Sequence, residues 1–234
     1  MSGILKGVGV GPGDPELITL KGLRAIQAAD VIAYPALEQG DSLARAIAAP
    51  HIPDGPEEYV IRMPMTEARF PAQEVYDAAA DKLGADLTAG RNVVVLCEGD
   101  PFFYGSFMYL FARLAERFET QVVPGVSSLM ACPAAAGVAL GSRNDVLSVL
   151  PAPLPDEVLR KHLEAGEAAA IIKVGRHFDR IRRLLEDLDL AESARYIERA
   201  SMHKQQVLPL ADVDAGRAPY FSMILVHKRG EAWR

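Results

Sequence analysis

Gly7-Val8-Gly9-Val10-Gly11-Pro12-Gly13-Asp14-Pro15 decides how this chain of 234 residues is read, because a second Gly-Asp-Pro stands far downstream at Gly99-Asp100-Pro101. Each follows an apolar run that reads as a strand, Ile4 to Val10 and Val93 to Cys97, and each precedes a segment with helical signals. Open α/β sheets hold their ligands at loops of this kind, at strand C-terminal ends. Glycine there lets backbone N–H and C=O groups approach a ligand that a side chain would keep away.

The spacing narrows the ligand. A dinucleotide-binding turn needs Gly-x-Gly-x-x-Gly, but the sixth position counted from Gly9 is Asp14, and counted from Gly7 it is Pro12. A phosphate-binding P-loop needs Gly-Lys-Ser/Thr, and no Lys follows these glycines before Lys21. An aspartate in each loop also repels phosphate, so a neutral or zwitterionic ligand fits better.

These residues resemble the signatures of the tetrapyrrole methyltransferases, the S-adenosylmethionine (SAM) enzymes of cobalamin and sirohaem synthesis. Residues 7 to 32 are similar to the first signature, Cys97-Glu98-Gly99-Asp100-Pro101-Phe102-Phe103-Tyr104-Gly105 to the second, and Val123-Pro124-Gly125-Val126-Ser127-Ser128 to the third. The order and distances are the family's, and the resemblance covers nearly the whole chain. It implies two α/β domains with the cofactor site in the cleft between them. By the same resemblance SAM is the methyl donor, and Pro12, Glu98, Gly99, Asp100, Phe103, Ser127 and Ser128 contact it, with Val174 and Ala200 enclosing it from the second half.

Composition lies in the ordinary globular range: half the residues are hydrophobic and 24% are charged, which argues against disorder. No apolar run approaches the roughly 20 residues of a membrane span, and a signal-peptide pattern is absent, so a cytoplasmic protein is expected. The net charge of −6 argues against a nucleic-acid or membrane partner. Cys97 and Cys132 show no Cys-x-x-Cys spacing and read as buried reduced thiols. No clustered His/Cys/Asp set suggests a metal.

Along the chain, strands and helices alternate, with parallel strands expected in the first half. Thr19 can cap a helix with Leu20, Leu23 and Ile26 on one face, followed by a strand at Asp30 to Tyr34. Pro50 to Pro64 reads as irregular. Helices are expected at Ala72 to Thr88, stopped by Gly90, and at Tyr104 to Phe118, with a short strand at Gln121 to Val123. Pro124-Gly125 marks the expected boundary, giving domains 1–123 and 124–234. Beyond it lie a helix from Ser127 to about Ala136 and strands near Val146 to Leu150, Ala169 to Val174, Arg195 to Glu198 and Phe221 to Val226.

Taken singly, the motifs have plainer readings. Gly99-Asp100-Pro101 is an ordinary strand-to-helix turn with Asp100 as a cap, Ser127-Ser128 an N-cap, and the aromatic cluster from Phe102 to Phe111 mostly core. Their conjunction points to the family. Methyl transfer from a sulfonium needs no leaving-group acid, so positioning in a dry cleft can carry most of the catalysis. No catalytic residue is assigned.

Corrinoid precursors carry many carboxylates, so their enzymes need cations aimed at the site. Lys173 and Arg176, at a strand-to-loop junction, are the leading candidates, with His203, Lys204 and Arg143 next. Arg180, Arg182 and Arg183 read as a solvated helix face opposed only by Asp179, behind the stripe Ile181, Leu184, Leu185 and Leu188. Within the family, residues 98 to 110, Ala200 to Gln206 and Lys173 to Arg176 resemble the group methylating precorrin-2 at C20, with or without cobalt. The resemblance also implies a homodimer. A non-catalytic nucleotide-binding regulator is the reading from another class; it would need no substrate cations.

Overall fold

Val93-Val94-Val95-Leu96-Cys97 is apolar at every position because both faces of its strand are covered. In the computed structural model, which describes residues 1–63 and 69–230, Val93, Val95 and Cys97 pack in one hydrophobic cluster and Val94 and Leu96 in another. Contacts between α-carbons divide the chain into two units, Met1–Ser127 and Ser128–Arg234.

The first unit runs β1 (Leu5–Gly9), α1 (Leu20–Gln27), β2 (Val31–Leu37), α2 (Leu43–Ala48), β3 (Glu57–Met63), α3 (Arg69–Thr88), β4 (Val93–Cys97), α4 (Phe107–Leu114) and β5 (Thr120–Val123). Its sheet has the order β3-β2-β4-β1-β5, and every pairing is parallel. Helices α3 and α4 cover one face and α1 and α2 the other. The chain leaves β1 toward β2 and leaves β4 toward β5, so the neighbouring ends of β1 and β4 form a point where connections diverge. Ligands of open α/β sheets sit at such points.

Three sequence expectations change here. Thr19 caps α1 by accepting the Gly22 amide at 3.0 Å, and Ile26 is buried with Leu23 packed beside it as expected, but Gly22 and Ala25 complete the buried face and Leu20 is exposed. The cause is Gly22, where a β-carbon would sit 3.2 Å from a Val8 methyl; the helix approaches β1 through that glycine and turns Leu20 outward. Pro50 to Pro64 is not all irregular, because Glu57–Met63 forms the edge strand β3; Pro64 lies outside the described residues. The helix expected from Tyr104 starts only at Phe107, since Tyr104 is in the left-handed region (φ 55), and ends at Leu114. Helix α2 goes unread in the sequence, although Ser42 is its N-cap and accepts the Arg45 amide at 3.2 Å.

The second unit comprises α5 (Ser128–Ala136), β6 (Leu147–Pro151), α6 (Asp156–Ala165), β7 (Ala168–Ile172), α7 (Phe178–Asp187), β8 (Ala194–Glu198), β9 (Gln206–Leu208) and β10 (Ser222–His227). Sheet order is β6-β7-β10-β8-β9, with β10 antiparallel to both neighbours. Its core joins Leu159 and Leu163 of α6 to Phe178, Ile181, Leu184 and Leu185 of α7 over Tyr196 and Ile224. Arg180 is not a free surface charge: it reaches Asp156 and the carbonyls of Ala152 and Leu154, so Asp179 is not the sole acid in this region.

At the far end of β10, Asp145 accepts the Ser142 amide at 2.7 Å and the Arg229 guanidinium at 2.8 Å. His227 Nδ1 accepts the Arg229 amide at 3.3 Å, which leaves Nε2 to donate to Asp145 at 3.1 Å. The Ser142 amide first, then His227 and Arg229, holds the Asp145 carboxyl well below the usual carboxylate range. This clamp pins residues 142–145 to the end of β10.

Candidate functional site

Three motif loops meet at the diverging ends of β1 and β4. Gly11 and Gly99 exchange backbone hydrogen bonds, Gly99 N–H to Gly11 O at 2.8 Å and Gly11 N–H to Gly99 O at 3.3 Å. A β-carbon on Gly125 would lie 2.1 Å from Gly99 O and 2.7 Å from the Gly9 α-carbon. The glycines are therefore required first by one another. The expectation that they admit a ligand's close approach needs that amendment: Gly9 and Gly125 admit a neighbouring loop, and Gly7 admits the Phe107 ring, 2.4 Å from where its β-carbon would be.

The two aspartates do the same local work. Asp14 accepts the Glu16 amide at 2.8 Å, and Asp100 Oδ1 accepts the amides of Phe102 and Phe103 at 2.9 and 3.1 Å. Asp100 Oδ2 takes the Gly125 amide at 3.1 Å, so this carboxylate fixes both its own loop and the third motif. Asp100 was read as a cofactor contact, and the structure gives both its oxygens to backbone N–H groups. Pro12 is buried beside these turns, and Phe103 is half-buried, edge-on to Tyr104 at 5.1 Å. Phe107 is core, while Phe102 and Tyr104 are exposed, which the reading of the cluster as mostly core did not foresee.

Glu98 sits between these loops and α2. Burial raises its carboxyl above the ordinary glutamate value, against hydrogen bonds from its own amide and that of Ala44. Cys97 and Cys132 are free and buried, and burial pushes the Cys132 thiol up to about 12. Ser127 is half-buried and ends the first unit; Ser128 is exposed and opens α5. Among the described residues no group of three His/Cys/Asp/Glu is placed to hold a metal, and no helix is long and apolar enough to cross a membrane.

In the second unit, Lys173, Val174 and Arg176 follow β7, and Ala200, His203 and Lys204 follow β8. The pairing of Met223 with both Ile172 and Ile197 brings the ends of β7 and β8 to the two sides of the start of β10. Arg176, His203 and Lys204 are exposed there. Val174 is fully buried in the core, backbone included, and offers no surface to a ligand. Arg143 does not join this set. It stands in the clamped 142–145 segment at the opposite end of β10, roughly 17 Å away for a strand of six residues.

Sequence reasoning passed over Arg199 and the group that holds it. Glu198 has a buried side chain that accepts the Tyr196 hydroxyl at 2.8 Å and an Arg199 N–H. A carboxylate closing the apolar strand Tyr196-Ile197-Glu198 was the signal available, since a buried acid requires partners.

Comparison with known proteins follows the same lines. Residues 5–214 match the family model described as Tetrapyrrole (Corrin/Porphyrin) Methylases. The chain is 41% identical to the precorrin-2 C(20)-methyltransferase of a Sinorhizobium species over 97% of both chains. It is 30% identical to the cobalt-precorrin-2 C(20)-methyltransferase of Salmonella typhimurium over 99% of both. With the cobalamin biosynthesis protein CobIJ of Mycobacterium bovis identity is 44% over 96% of this chain, but the chain spans only 46% of that protein's length. Among solved structures, a cobalt precorrin-4 methyltransferase matches with TM-score 0.75 at 24% identity, covering 97% of this chain and 96% of the other. A uroporphyrin-III C-methyltransferase from Thermus thermophilus, complexed with S-adenosylhomocysteine, matches with TM-score 0.68 at 25% identity over 95% and 97%. The chain belongs to the tetrapyrrole (corrin/porphyrin) methylase family.

Proposed function

We propose that this protein transfers the methyl group of SAM to C20 of metal-free precorrin-2 in cobalamin biosynthesis, giving precorrin-3A and S-adenosylhomocysteine. The observation that carries the reading is the 41% identity to the Sinorhizobium enzyme across nearly the full length of both chains. S-adenosylhomocysteine in the Thermus relative supports SAM as donor.

The motif loops suit such a ligand. Residues 7–20 and 98–112 contain Asp14, Glu16, Glu98 and Asp100 but no Lys or Arg. Acidic surroundings favour a sulfonium and an ammonium and disfavour a phosphate. When bound, SAM supplies an activated methyl whose leaving group is a neutral thioether. The protein's part is orientation and exclusion of water, worth roughly 7–11 kcal/mol when the reactants are held in line. In this reading Pro12, Glu98, Gly99, Phe103, Ser127, Ser128 and Ala200 line the donor, Asp100 acts by holding its loop on Gly125, and Val174 anchors the turn after β7 in the core. Lys173, Arg176, His203 and Lys204 receive the acceptor's carboxylates. A cytoplasmic homodimer is part of the proposal, and light scattering reads the oligomeric state.

The identity to the Salmonella enzyme favours, as second reading, the same methylation on cobalt-precorrin-2. Incubation with SAM and each substrate, followed by mass spectrometry, separates the two. One methyl added to the metal-free substrate is expected; turnover of the cobalt form alone would overturn the metal-free assignment.

A further inference from the structure

We infer that Arg199, held by the buried carboxylate of Glu198, binds a carboxylate on the rim of the tetrapyrrole, and that Phe221 beside it offers an aromatic face to the macrocycle. This rests on the reading of the acceptor as a polycarboxylated tetrapyrrole. Arg199 stands one residue past β8 and Lys173 one residue past β7, and both are in the left-handed region, with φ of 50 and 58. Strands are about 4.8 Å apart, so two cations leave the sheet edge roughly 10 Å apart, one on each side of the start of β10.

A residue with a β-carbon stays left-handed only where its surroundings over-determine it, and such positions gather at ligand sites. Arg199 N–H donates to Phe221 O at 2.9 Å, and Met202 N–H donates to Arg199 O at 2.9 Å. Ser201 is left-handed too (φ 66), its amide held by Gln205 Oε1 at 2.7 Å. The guanidinium has five N–H donors, and Glu198 takes one of them. Glu198's side chain is 10% exposed and Arg199's 36%, so the acid is sunk and the cation reaches solvent. The order of parts suits a fork presented to an outside carboxylate, with Tyr196 and Arg199 sharing the cost of the buried acid.

Next to this fork the chain exposes two rings in succession. Tyr220 and Phe221 are 62% and 46% exposed and meet edge to face at 5.3 Å. The Phe221 carbonyl is tied to β8's extension by the Arg199 amide, and the flanking Ser222 hydroxyl accepts Gly175 N–H after β7 at 3.3 Å and donates to Pro219 O at 2.6 Å, which holds the chain on both sides of the pair. A fixed aromatic pair between two cations matches a flat conjugated ring with carboxylates around its edge.

Fluorescence titration of the full chain with uroporphyrin III, an octacarboxylate, and coproporphyrin III, with half as many carboxylates, tests this in the presence of S-adenosylhomocysteine. Arg199→Ala is expected to weaken uroporphyrin binding about 10-fold or more and coproporphyrin binding less. Arg199→Lys, which keeps the charge without the fork, should recover part of the loss and reads the same comparison if the alanine variant does not fold. Phe221→Ala should weaken both porphyrins, while S-adenosylhomocysteine affinity stays unchanged and precorrin-2 KM rises with little change in kcat. Unchanged porphyrin affinity in folded variants, or a parallel loss of S-adenosylhomocysteine, overturns the inference while wild-type turnover of precorrin-2 leaves the functional reading standing. A wild type that does not methylate precorrin-2 overturns both.

Discussion

The Asp100 carboxylate accepts the Gly125 amide at 3.1 Å, so the second motif holds the third across 25 residues of sequence. Asp100→Asn keeps an acceptor for the Phe102 and Phe103 amides but turns an N–H group toward Gly125. Loss of this bond to a charged acceptor is expected to cost about 1.5–3 kcal/mol. Urea denaturation should show the loss, and calorimetry should show weaker S-adenosylhomocysteine binding. Full stability in the variant would mean that the loop does not depend on this contact.

Glycine substitutions should sort by what a β-carbon meets. Gly125→Ala drives a methyl into the Gly99 carbonyl, 2.1 Å away, and overpacking of this kind costs about 1–3 kcal/mol. Gly84→Ala, inside α3, meets nothing nearer than 3.6 Å and should stabilise by about 0.5–1 kcal/mol. Thermal melts of the two variants should shift in opposite directions; shifts of one sign would contradict the loop geometry.

Burial raises the Glu98 carboxyl. A raised acid contributes stability below its unfolded value and loses it as pH rises through the folded value. Glu98→Gln should therefore be more stable than wild type at pH 8, with the difference vanishing toward pH 4. Melting curves across that range check the sign, and an advantage confined to low pH would contradict it.

Arg176→Ala should raise the acceptor KM roughly 10-fold or more and leave SAM affinity alone, as expected for one charge-assisted bond to a carboxylate. Steady-state kinetics with calorimetry decides. Impaired SAM binding with unaltered acceptor kinetics would move Arg176 to the donor side.

Legibility followed the strength of local signals. The strand Val93–Cys97 was readable to the residue because an unbroken apolar run between a Gly-bearing turn and Glu98 admits little else. Helix α1 was located by Thr19, but its buried face depended on Gly22 approaching Val8, a tertiary fact with no hydrophobic signal of its own. Strand β3 was missed because Glu57-Glu58-Tyr59-Val60-Ile61-Arg62 is a half-exposed edge in a proline-rich setting. At the site, the motifs named the right loops, yet which glycine admits a loop and which carboxylate is spent on backbone appear only when the strands are side by side. Arg143 shows the same limit, since a basic residue in a loop carries no sign of the sheet end it occupies, whereas Arg199 was signalled only indirectly, by the acid that closes β8 before it.

Carbon-13-labelled SAM incubated with metal-free precorrin-2 and this protein, with NMR of the product, tests the central claim directly. One labelled methyl at the C20 bridge is predicted. A label at another carbon would keep the family and contradict the C20 assignment, and the absence of any transferred label would contradict the function.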